Sequence, residues 1–157
     1  MGIEPALRAN LDRLVGTWRT EGRIVDSGEE WHGHDIYEWF PGGQQLVHRV
    51  DVTIFWERSE SIEMFTPREG SADTFDQTAF AADGHVEHAV GSFDAAGRYL
   101  NDAGEARAVL AFDAPAAMSA TWELRQPDGT WGDWMTVRFA RIGEPHIEVR
   151  SKTDHTL

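Results

Sequence analysis

The chain has 157 residues, 41% of them hydrophobic, with a formal net charge of -13 and no cysteine. That length fits one domain with a real core, and the missing cysteines exclude a disulfide framework, a thiol nucleophile and a thiolate metal site. The acidity opposes binding to nucleic acid or to anionic membrane surfaces, and no apolar run approaches the ~20 residues of a membrane span, so a cytoplasmic protein is expected.

The chain opens with a short predicted helix over about residues 4–15. Pro5 suits its first turn, Leu7, Leu11 and Leu14 recur on one face, and Gly16 ends it. Helical periodicity then gives way to strands separated by turns. They are 17–25, 30–40, 45–56, 61–66, 73–81, 85–94, 106–112, 119–126 and 131–142, broken by Gly, Pro, Asp and Ser clusters. This spacing predicts an all-β antiparallel meander, and closure into an up-and-down barrel of eight to ten strands would remove its exposed edges. The expected organisation is a single domain over 1–157, with the barrel over about 16–142. A tail over 143–157 would either add an edge strand at 146–150 or fray.

The segment "HDIYEWFPGGQQLVHRVDV" (34–52) is the most informative. A two-residue Gly42-Gly43 turn sets Trp39 opposite Leu46, Tyr37 opposite His48 and Asp35 opposite Val50. Alternation places these six on one face, continued by Val52, Ile54 and Trp56. The other face pairs His34 with Asp51 and sets Glu38 diagonal to Arg49, as a solvated face would. The first face is the more apolar, so it is assigned to the interior. It nevertheless keeps Asp35, Tyr37 and His48, which must satisfy one another or face a ligand. These three are the candidate catalytic or polar ligand-binding groups. Trp39, Leu46, Val50, Val52 and Met64 are the candidate cavity wall.

Other constellations carry less. Trp18 in "GTW" opens the first strand, and Arg141 is its expected structural cation–π partner at the closed end of the barrel. His32 and His34 share a face with Asp51, but that face is expected to be solvated, and no metal site is assigned. His88 is a further candidate for the interior beside His48. No G-x-S-x-G, G-x-G-x-x-G or P-loop pattern is present.

The short helix, "LVGTWRTEGR", "YEWFPGGQQLVHRVDV" and "ATWELRQPDGTWGDWMTVRFAR" together resemble a bacterial lipocalin-like family related to the calycins and the nitrobindin-like heme barrels. The resemblance covers about residues 7–142 and implies eight to ten antiparallel strands around an apolar pocket, with no assigned activity. Trp18 takes the Gly-x-Trp position, and Tyr37, Glu38, Trp39, His48 and Arg49 fall on the hairpin motif. Nitrobindin-like barrels hold heme through a histidine late in the chain. The last long strand here, 131–142, has none, and His146 follows only after Gly143 and Pro145. No cofactor is therefore expected.

Three functional readings follow. The first is a barrel that encloses a small hydrophobic or aromatic molecule. The second is a cofactor-independent isomerase or cyclase in the same cavity, with His48 or Asp35 moving a proton. The third is a barrel filled by side chains that acts through its surface, for instance as a homodimer.

Overall fold

The computed structural model describes residues 2–150. One helix, α1 (Pro5–Asp12), precedes ten strands that close into an antiparallel barrel. They are β1 (Gly16–Ile24), β2 (Glu30–Trp39), β3 (Leu46–Ile54), β4 (Glu57–Pro67), β5 (Thr74–Ala81), β6 (Val86–Phe93), β7 (Tyr99–Asp102), β8 (Ala106–Ala114), β9 (Ala117–Arg125) and β10 (Trp131–Gly143). Each strand pairs with its sequence neighbour, and β10 returns to β1 through pairs such as Trp18 with Arg141. This is the expected lipocalin-like barrel, with β7 as the strand that pattern reading passed over. Its four residues, Tyr-Leu-Asn-Asp, are too short and too polar at one end to show a period.

The meander puts α1 and the β2–β3, β4–β5, β6–β7 and β8–β9 connections at one end. The other five connections ring the opposite end. The helix plugs its end. Leu7, Leu11 and Leu14 are wholly buried, and the Trp18 indole N–H donates to the Leu14 carbonyl at 2.8 Å. Arg13 lies 3.8 Å over the Phe112 ring and donates to the Gly97 carbonyl at 2.6 Å. Inside this end, Phe65, Phe75, Phe93 and Tyr99 form an aromatic cluster, with the Phe65 and Phe75 centroids 5.0 Å apart. Full burial of rings this size is the main source of stability at the plugged end.

The expected Trp18–Arg141 cation–π pair does not form. Arg141 is opposite Trp18 in register, but its guanidinium stem lies across the backbone of Gly16, where a Cβ would sit 2.6 Å from Nε. The Leu14 backbone carbonyl at the helix exit, not a cation, partners the Trp18 indole N–H.

Residues 144–150 form no strand. The closed barrel has no edge for one to join. This segment instead crosses the outside of β1–β3. Thr17 Oγ1 donates to the Glu144 carbonyl at 2.8 Å, the Ile147 N–H donates to Glu38 at 3.1 Å, and Arg49 Nε donates to the Glu148 carbonyl at 3.2 Å. The remainder of the proposed tail lies outside the described residues.

Candidate functional site

The β2–β3 register is the expected one: Asp35 faces Val50, Tyr37 faces His48, and Trp39 faces Leu46. The connection is longer than two residues, since the Phe40 N–H donates to the Gln45 carbonyl and Gly42 and Gly43 both take positive φ. It is centred on the same point, so the pairing survives. Asp35, Tyr37 and His48 are all buried.

The three meet inside the barrel. The Tyr37 and His48 rings stack with centroids 4.0 Å apart and planes within 7°. His48 Nε2 lies 2.6 Å from Asp35 Oδ1, and Nδ1 lies 3.0 Å from Glu63 Oε1. Neutral imidazole has one N–H, so it cannot donate to two carboxylates; imidazolium can. Burial alone pushes the His48 pKa down, but the hydrogen bonds and charges of Asp35 and Glu63 outweigh it and raise it from 6.5 to about 9. Burial, with the Asp35 charge second, holds the Tyr37 hydroxyl well above its usual range, so it stays a neutral phenol.

The network continues on both sides. Thr20 Oγ1 donates to Asp35 Oδ2. Gln77 Nε2 donates to Glu63 Oε2 at 3.0 Å, and Tyr99 OH donates to Gln77 Oε1 at 2.6 Å. A polar layer drawn from β1, β2, β3, β4, β5 and β7 therefore crosses the barrel beneath the cavity.

Above it lies a cavity of about 290 Å³, room for about ten water volumes. Tyr37, His48, Val50 and Val52 line it, as do Ile54, Tyr99, Leu110 and Trp122. Ser61, Ala79, Ala108 and Ala120 stand at inward positions and leave the space open. Trp31 is brought in flat against Gly22, where a Cβ would lie 1.9 Å from the indole, so no larger residue fits there.

Some expected wall residues lie elsewhere. Trp39 and Leu46 are on the inward parity but sit under the helix plug, where the Trp39 indole N–H donates to Asp12 at 3.0 Å. Met64 pairs with Val47 and Thr78, on the parity opposite to Glu63 and Phe65, and does not line the cavity. Trp56 does not continue the inner face: it is 97% exposed in the β3–β4 turn. His88 is exposed. Asp51 is held by Arg58 at 2.8 Å, and among the described residues no group of three such side chains, at His32 and His34 or elsewhere, is placed to hold a metal ion. Arg49, expected in solvent, is buried beneath residues 147–148 and pairs with Glu60 at 2.6 Å.

Glu63 is a functional candidate that sequence reading missed. A signal existed: a Phe55-Trp56 turn puts Ile54 opposite Glu57 and therefore His48 opposite Glu63. Two bulky aromatics do not read as a turn, yet both take positive φ, 53° and 69°, as a tight hairpin turn requires.

Among the described residues, two buried side-chain polar atoms have no protein partner, Trp31 Nε1 and Asn101 Oδ1. Both residues line the cavity. Buried orphans cost on the order of 1–3 kcal/mol each.

No known family model and no curated protein matches the sequence. Solved structures do match. Rv2717c from M. tuberculosis superposes with a TM-score of 0.58 at 14% identity, over 89% of this chain and 99% of that one. The S-type phycobiliprotein lyase CPES from Guillardia theta gives 0.50 at 8% identity, over 87% and 92%. A redesigned β-barrel, mFAP1, bound to DFHBI, gives 0.46 at 16% identity, over 84% and 98%. At these identities the likeness to the first two is one of fold.

Proposed function

We propose that the protein binds a small hydrophobic or aromatic molecule inside the barrel. The observation that carries this reading is the cavity itself: about 290 Å³, walled by Val50, Val52, Ile54, Leu110 and Trp122, with the Asp35–His48–Glu63 layer as its floor. An apolar wall with a few convergent polar groups is the usual make-up of a small-molecule site. A barrel meant only to be filled would carry large side chains where Ser61, Ala79, Ala108 and Ala120 stand.

The geometry favours binding over proton transfer by His48. Both ring nitrogens are committed to carboxylates, and Tyr37 covers one ring face. A general base needs a free nitrogen within hydrogen-bond reach of its substrate. The histidine instead neutralises one of two carboxylates and fixes the cavity floor.

The test is native mass spectrometry of the protein purified from its source, with a denatured control, followed by titration with N-phenyl-1-naphthylamine. A stoichiometric mass that leaves on denaturation, or saturable probe fluorescence, supports the reading. Neither signal, together with a failure of the probe to shift the thermal midpoint, would overturn it.

A further inference from the structure

We infer that the cavity selects an uncharged aromatic molecule bearing an amide- or lactam-type carbonyl, and rejects the corresponding carboxylate. This deepens, and rests on, the reading that the cavity binds a small molecule. Three observations carry it.

The first is the donor. Trp31 is 7% exposed, its indole N–H has no protein acceptor, and it lines the cavity. A ligand that brings an acceptor to it removes a standing cost; one that brings none leaves that cost in place. The second is the acceptor. Asn101 lines the same cavity and uses its Nδ2 on Tyr99 OH at 3.3 Å, while its buried Oδ1 has no protein partner. Trp31, Trp122 and Tyr99 present ring surfaces suited to a flat aromatic body.

The third is charge. The floor holds the carboxylates of Asp35 and Glu63 against the single imidazolium of His48, and the largely exposed Glu87, 3.5 Å from His85, also borders the cavity. No arginine or lysine lines this cavity. An anionic ligand would therefore enter a low-dielectric space that already has excess negative charge and offers no cation. The net charge of -13 opposes it at long range as well.

The experiment compares three molecules of one shape on the full-length protein at about pH 7.5: 2-naphthamide, 2-naphthoate and naphthalene, by displacement of N-phenyl-1-naphthylamine. The amide is expected to bind about fivefold tighter than naphthalene, the increment of one net hydrogen bond. Naphthoate is expected to bind at least tenfold weaker than the amide. Trp31→Phe keeps a ring over Gly22 but removes the N–H. It should bring the amide-to-naphthalene affinity ratio down to about one, and an unchanged far-UV circular dichroism spectrum would show that the variant is folded. Naphthoate binding as tightly as the amide would overturn the inference. So would an amide-to-naphthalene ratio that Trp31→Phe does not move, which would assign the indole N–H to a water. If none of the three displaces the probe from the unaltered protein, the binding reading itself fails instead.

Discussion

At the helix end, the inward positions of β3, β4, β5, β6 and β9 carry Leu46, Phe65, Phe75, Phe93 and Met118, all buried. Further along β4, β5 and β9 they carry Ser61, Ala79 and Ala120, and along β8 the inward residue is Ala108. The backbone is continuous between the two halves, so side-chain size alone decides where the barrel is packed and where it is hollow. The Asp35–His48–Glu63 layer stands at the boundary. Large rings on one side make the packing dense. Small residues on the other leave about 290 Å³ open. A barrel of this size can be both a core and a container when the transition falls within its length.

The sharpest way to break this comparison is to remove mass from the packed half. Phe65 is wholly buried and contacts Tyr37, His48, Phe75 and Tyr99. Phe65→Ala should destabilise the protein by about 3–5 kcal/mol, read as a lower urea midpoint with an unchanged slope. A loss under about 1 kcal/mol would mean that the packed half is no denser than the hollow one.

Which side chains of the β2–β3 hairpin face inward was legible in the sequence. The glycine-centred β2–β3 turn and two-residue alternation placed Asp35, Tyr37 and His48 inside at the observed register. Position along the barrel was not legible, because alternation gives the face of a strand and not its depth. Trp39 and Leu46 share the inward face with Tyr37 but belong to the plugged half. Met64, expected on the cavity wall, lies on the face opposite to Glu63. The buried charge of His48 explains why Glu63 takes the inward place instead: an imidazolium needs a second acceptor more than the core needs a thioether. Trp31 escaped notice for a related reason, since its place depends on Gly22, a contact between strands that no local pattern records.

The boundary layer gives the next largest effect. His48 has a folded pKa of about 9 against an ordinary 6.5. The folded state thus binds more protons than the unfolded state between those values. Its stabilising contribution is whole below about pH 6.5 and disappears as pH rises through about 9, by on the order of 3 kcal/mol. Urea titrations across this window should show that fall, and imidazole NMR should place the His48 titration well above the ordinary 6.5. An ordinary midpoint near 6.5 would mean that the His48 imidazole is neutral in the boundary layer and donates to only one of its two carboxylate neighbours.

At the hollow end, the β3–β4 turn holds Phe55 and Trp56 in left-handed conformations that neither residue favours. Replacing the pair by Asn-Gly, the residues this turn geometry prefers, should stabilise the protein by about 1–2 kcal/mol. Chemical denaturation checks this. No gain would mean that packing of the two rings at the rim offsets the backbone strain, and the hollow half would then include a structural rim.

The smallest expected effect discriminates best. Ala120 is buried and lines the cavity on β9. Ala120→Val adds two methyl groups. In a packed interior that insertion forces off-rotamer side chains and costs about 1–3 kcal/mol. In a hollow one the methyls enter free space, and each buried carbon contributes up to about 0.8 kcal/mol in the opposite direction. The expected outcome is a stability change of less than about 1 kcal/mol, together with weaker binding of N-phenyl-1-naphthylamine. The paired change Met118→Phe, two residues earlier on the same strand and at the packed end, should cost the full overpacking penalty. If both substitutions cost alike, the two halves are packed alike and the cavity is not a container. If only Met118→Phe destabilises, side-chain size along one strand is what divides this barrel into core and site.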